Sequence, residues 1–155
     1  MKNFLFLLLG FLLTVACTSD DDICAAGEGT PRVKLKFKDK NNKEIKLPEL
    51  FIDADYGSGT KTVISMKNAD SVLVPLRVDG SGSTTLTVYT AATGHKSVIK
   101  LNYSEEAKYV SPPCGFKKLY HNITTELQFA DPVTKLQQTQ NEIVNEDKTH
   151  LYLIF

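Results

Sequence analysis

Three histidines, His95, His121 and His150, and two close carboxylates, Asp53 and Asp55, are the side chains with most capacity for chemistry in this sequence. A zinc site takes three or four His, Cys or carboxylate ligands, with some of them closely spaced. The histidines lie far apart and fit neither H-x-H nor H-E-x-x-H, so they read as separate surface residues. Asp53 and Asp55 are two residues apart, which puts both on one face of a strand. Paired carboxylates can hydrolyse glycosides or hold calcium. The stretch Asp53-Ala54-Asp55-Tyr56-Gly57 lacks the later oxygen ligands of a calcium loop, and a solvated strand end is the simpler reading. Gly57-Ser58-Gly59 and Gly80-Ser81-Gly82 read as turns rather than nucleophile elbows, and no phosphate-cradling loop precedes a helix. Six tyrosines without a tryptophan offer weak platforms for sugar stacking, and packing is their default role. No cofactor and no metal is expected, and the chain reads as a non-enzyme. A small hydrolase or glycan-active enzyme using Asp53 and Asp55 is the alternative.

The cysteines carry a different chemistry. Lys2 gives a positive start, Phe4 to Leu13 is apolar apart from Gly10, and small residues lead to Cys17. This is the layout of a secretory signal over residues 1–16, too short to span a bilayer that needs about 20 residues. Leu13-Thr14-Val15-Ala16-Cys17 resembles a lipobox, where a signal peptidase cuts before a diacylated cysteine. Thr14 departs from the usual leucine. Acyl chains contribute about 0.8 kcal/mol per buried methylene, so several together anchor firmly.

With Cys17 lipidated, Cys24 and Cys114 are left as a pair outside the reducing cytosol. Joined, they close a loop of roughly 90 residues and stabilise by about 4–5 kcal/mol in the chain-entropy treatment. Free thiols and a metal site are the rivals, but neither cysteine has a further ligand nearby and no C-x-x-C is present. Seven residues separate Cys17 from Cys24, a reach of about 25 Å at most. Loss of the leader removes Lys2 from 18 basic residues and none of 18 acidic ones, leaving a net charge of −1. That balance points away from nucleic acid.

The remaining chain must position these groups. Residues 17–31 are polar, small and acidic, a flexible leader, and 32–155 has the size of one domain. Val33, Leu35 and Phe37 alternate with Lys34, Lys36 and Lys38, the period of a half-buried strand. Further strands are expected at Leu50–Ala54, Thr62–Met66, Val72–Val78, Leu86–Tyr89, Val98–Tyr103, Tyr109–Val110, Phe116–Tyr120, Thr124–Phe129 and His150–Phe155. Pro75 marks an edge or a bulge. Residues 133–144 fit either state, with strand mildly favoured. Short strands with a turn signal every ten residues or so predict an all-β antiparallel sandwich of Greek-key, immunoglobulin-like type. An eight-stranded membrane barrel competes less well, because its strands need ~9–11 residues and Lys34, Lys36 and Lys38 would crowd one lumen.

One set of residues resembles a known family. Asp21-Asp22-Ile23-Cys24, Thr30-Pro31-Arg32-Val33, Pro75-Leu76, Tyr103, Tyr109-Val110-Ser111, Cys114-Gly115-Phe116 and the ending Asn145 to Phe155 occur in the order and spacing of small Bacteroidetes lipoproteins. They look like family 6452 of the domain-of-unknown-function series. The resemblance implies lipid on Cys17, pairing of Cys24 with Cys114, and a bacterial envelope, and it brings no catalytic residues. Ser19-Asp20-Asp21-Asp22 resembles a surface-export signal, and Asp70-Ser71-Val72 an O-glycosylation acceptor at Ser71. The expectation is an outer-membrane lipoprotein held by its lipid and facing outward, with periplasmic orientation as the alternative. It would act as a binding module for another envelope protein or an extracellular ligand, or serve a purely structural role.

Overall fold

The computed structural model describes residues 29–155. The signal over 1–16, most of the leader, and with them Cys17, Ser19, Asp20, Asp21, Asp22 and Cys24 lie outside the described residues.

Nine strands form two sheets, and no helix is present among the described residues. They are β1 (Val33–Lys38), β2 (Leu47–Asp55), β3 (Thr60–Ala69), β4 (Ser71–Val74), β5 (Ser83–Tyr89), β6 (Ser97–Ser111), β7 (Gly115–Phe129), β8 (Lys135–Gln138) and β9 (Leu151–Ile154). One sheet has the order β4-β1-β9-β8 and the other β3-β2-β5-β6-β7. The protein is an all-β sandwich.

Burial follows the alternation read from the sequence. In β1 the side chains of Val33, Leu35 and Phe37 are buried while the lysines between them are half-buried. From the facing sheet come Leu50, Ile52, Leu86, Ile99 and Leu101, all fully buried. Each such side chain contributes roughly 1.5–3 kcal/mol relative to exposure. Phe155 closes one end, edge-on to Phe37 with ring centroids 6.1 Å apart.

The expected antiparallel arrangement needs one correction. β9 lies between β1 and β8 and runs parallel to β1, Leu35 opposite Leu151 and Lys38 opposite Ile154; the other strand pairs are antiparallel. A parallel pair needs a long crossover, and here the body of the domain between the first and last strands supplies it. The apolar Leu151, Leu153 and Ile154 are all buried, which suits a central strand.

Two expected breaks are absent. Tyr109–Val110 is the end of β6, and the segments 116–120 and 124–129 are one strand, β7. Asn122, at φ 55°, and a register shift between Asn102 and Ser104 absorb the irregularity as a bulge. Residues 133–144 hold the short strand β8 and then a loop. Val133 and Ile143 are fully buried, and Ile143 exchanges backbone hydrogen bonds with Tyr120 at 2.8 and 3.2 Å. The expected strand at 72–78 stops at Val74, before Pro75, on the edge of its sheet.

A polar cluster pins the crossing from β4 to β5. Thr84 Oγ1 and the Tyr103 hydroxyl are 2.6 Å apart; the Arg77 N–H donates to Thr84, and Tyr103 donates to the Arg77 carbonyl. Tyr120 meets Tyr103 edge to face at 5.0 Å. Burial pushes the Tyr103 phenol up to about 12 and raises that of Tyr120 as well.

Candidate functional site

The two carboxylates singled out by spacing point outward from β2, since Ile52 and Ala54 between and beside them are buried. They serve different neighbours. Asp53 Oδ1 accepts from Thr62 Oγ1 at 2.6 Å and from the Tyr89 hydroxyl at 3.1 Å. Lys96 Nζ sits 4.0 Å from Asp53 and 4.1 Å above the Tyr89 ring, which stacks on the ring of Phe51. Burial, and then the Asp53 carboxylate, raise the Tyr89 phenol. Asp55 Oδ1 instead accepts the Gly57 N–H at 2.8 Å, shaping the turn into β3.

The histidines remain apart, each with its own partners. His95 contacts Asp131, and His121 lies between Glu106 at 2.9 Å and Glu142 at 3.5 Å. His150 is buried, and its Nδ1 accepts the Lys34 N–H at 2.9 Å. Among the described residues no group of three His, Cys, Asp or Glu is placed to hold a metal ion. Ser81 sits in a turn, where its N–H donates to Asp79 and its hydroxyl to the Ser83 carbonyl. Ser71 opens β4, half-buried, with its hydroxyl donating to Asp70 at 3.2 Å. Tyrosines 103 and 120 are core residues. Tyr56 donates to the Pro75 carbonyl, and Tyr152 donates to Glu44 beneath the Lys38 ammonium.

A cleft of about 620 Å³ lies between Gly29–Arg32 and Val144–Asp147. An ion pair lines it. The Arg32 guanidinium grips Glu146 through two hydrogen bonds of 2.7 and 2.9 Å, and the Arg32 N–H adds a third of 3.0 Å.

The least expected surface is the ribbon made by β6 and β7. Pairing of β5 with β6 ends at Ser83 and Asn102, yet β6 continues to Ser111 and β7 begins only at Gly115. The extension is therefore two-stranded. Its base is tied down by Glu105, whose Oε1 accepts the Gly80 N–H at 3.0 Å and whose Oε2 is 3.3 Å from Lys118 Nζ. Thr30 Oγ1 accepts the Lys118 N–H at 2.9 Å, so the chain entering the domain runs beside the ribbon.

The far end is closed by Pro112, Pro113 and Cys114, with Gly115 at φ +67°. A three-residue hairpin loop commonly ends on such a left-handed residue, which glycine adopts without strain. Tyr109 and Phe116 face each other across the strands, their ring centroids 5.4 Å apart and the planes at 68°. They are 55% and 69% exposed. One step further down the ribbon Lys108 stands opposite Lys117, on the other face by alternation. Cys114 sits in this loop, and the chain's other two cysteines lie outside the described residues. The sequence carried a signal for this tip, two aromatics flanking Pro-Pro-Cys-Gly, but its significance depends on the register that pairs them.

No curated protein and no solved structure matches this chain. Residues 50–155 match the family described as Family of unknown function (DUF6452), a span from within β2 to the last residue and more than half of the sequence. The chain belongs to that family.

Proposed function

We propose that the protein is an envelope lipoprotein: residues 1–16 are a signal that is removed, Cys17 carries the acyl chains, and the sandwich acts as a non-catalytic interaction module at the outer membrane. Cys24 pairs with Cys114, and Ser19-Asp20-Asp21-Asp22 directs the domain outward to meet another envelope protein or an extracellular ligand. The observation that supports this most is the apolar run from Phe4 that ends at the lipobox-like Leu13 to Cys17. Stable disulfides belong to oxidising compartments, and the lipobox-like Leu13 to Cys17 leads there. The engagement of Asp53 by Thr62 and Tyr89, and of Asp55 by its own turn, gives both carboxylates structural work and supports binding over hydrolysis.

Expression of the full chain in a bacterium that lipidates such signals tests the proposal. The parent protein partitions into the membrane fraction and the detergent phase, and Cys17→Ser moves it to the soluble fraction. Protease added to intact cells removes the parent domain if it faces outward and spares it if it faces the periplasm. Equal partitioning of parent and Cys17→Ser contradicts the anchor.

A further inference from the structure

We propose that the loop joining β8 to β9, residues 139–150, is a proton-driven strap: neutral His150 holds its closing end, and charged His121 holds its early part at Glu142. The two ties need opposite protonation states, so a fall in pH moves the grip from one side of the loop to the other.

The first tie is built on β7. The His121 ring stands between Glu106 of β6, 2.9 Å from Nε2, and Glu142 of the loop, 3.5 Å from Nδ1. A neutral imidazole carries one N–H. Serving the closer Glu106, it leaves Nδ1 with a lone pair turned toward the Glu142 carboxylate. The imidazolium donates from both nitrogens and holds both carboxylates at once. Beside it the loop lies along β7. Tyr120 and Ile143 exchange backbone bonds of 3.2 and 2.8 Å, and the Ile123 N–H donates to the Asn141 carbonyl at 2.8 Å. β7 is the last strand of its sheet, so this stretch of loop covers the strand's open edge.

The second tie has the reverse requirement. His150 Nδ1 accepts the Lys34 N–H at 2.9 Å, which a protonated Nδ1 cannot do. The His150 N–H bond to the Lys34 carbonyl, at 3.0 Å, depends on the same placement. Among the described residues the charged groups facing His150 are Lys34 of β1 and Glu146 of the loop, as Glu106 and Glu142 face His121. Histidines change charge between about pH 5 and 8, so both ties respond within one window and in opposite senses. Between them lie Val144–Asp147, which wall the cleft opposite Arg32. The tie in force decides which end of that wall is held.

Amide hydrogen exchange on the full chain at pH 7.5 and 5.0 tests the strap, each rate being divided by its random-coil value at that pH. The amides of Tyr120, Ile123 and Ile143 report the first tie, and those of Lys34 and His150 the second. On acidification the first set is expected to gain protection by about twofold or more while the second loses it by a similar factor. Glu142→Gln, at an exposed position, abolishes the gain and keeps the loss. His150→Gln, which keeps an uncharged acceptor, abolishes the loss and keeps the gain. Both sets shifting together by one factor, or an acid gain that survives in Glu142→Gln, overturns the proposal.

Discussion

His150 and Lys34 hold each other through both ends of the backbone-to-ring exchange. The Lys34 N–H donates to His150 Nδ1 at 2.9 Å, and the His150 N–H donates to the Lys34 carbonyl at 3.0 Å. This contact fixes the start of β9 against β1, at the parallel junction between the chain's first and last strands. An acceptor role for Nδ1 requires that nitrogen to be unprotonated.

The consequence is a pH dependence with a defined sign. Burial lowers the His150 pKa from its ordinary value of 6.5, opposed by a hydrogen bond to the Asn145 backbone and by Glu146, and reinforced by Lys34. The neutral form is therefore favoured in the folded protein. Its stabilising contribution is fully present above about pH 6.5 and is lost as pH falls through the depressed folded value. Denaturant titrations from pH 7.5 down to 5 are expected to show this loss in the parent and a flatter profile in His150→Gln. A separate variant, His150→Ala, leaves the Lys34 N–H buried without a partner and costs about 1–3 kcal/mol at pH 7.5.

The tyrosine pair beneath the β4–β5 crossing separates packing from hydrogen bonding. The Tyr103 hydroxyl has close partners in Thr84 and Arg77, whereas that of Tyr120 reaches the Leu76 carbonyl only at 3.5 Å. Tyr103→Phe is expected to lose about 1–2 kcal/mol in urea unfolding, and Tyr120→Phe less than about 1 kcal/mol. Equal losses would show that the hydroxyl network is not what holds the crossing.

Two turn glycines give a second contrast. Gly115 and Gly82 both have φ +67°, but a Cβ at Gly115 meets open space while one at Gly82 lies 3.1 Å from the Tyr103 carbonyl oxygen. Gly115→Ala is expected to cost about 1–2 kcal/mol from backbone strain alone. Gly82→Ala costs more, because the backbone of β6 that accompanies Tyr103 must also give way, and the Tyr103 N–H bond to the Gly82 carbonyl weakens with it. Thermal midpoints of the two variants compare them directly.

Local pattern made much of this fold legible. The Lys-separated apolar residues of β1, the Gly-Ser turns and the proline at the end of β4 each announce themselves within a few residues of sequence. Pairing partners do not. Whether His150 to Phe155 runs with or against β1 depends on the path of the whole domain, and alternation is the same either way. The length of β6 and β7 was hidden because residues 104–108 and 121–123 read as gaps between strands, while the folded chain carries the pairing through them with a register shift between Asn102 and Ser104 and a left-handed Asn122. Asp53 and Asp55 were correctly placed on one strand face, yet their neighbours Thr62, Tyr89 and Gly57 come from cross-strand register and turn geometry. The aromatic tip went unrecognised for the same reason: Tyr109 and Phe116 become a pair only once the hairpin closes.

Intact-mass analysis of the protein extracted from its native envelope tests the central claim most directly. The account predicts a chain that begins at Cys17 with acyl chains attached, and a Cys24–Cys114 cystine that opens on reduction. A product that retains residues 1–16, with Cys17 unmodified and Cys114 as a free thiol, would contradict it.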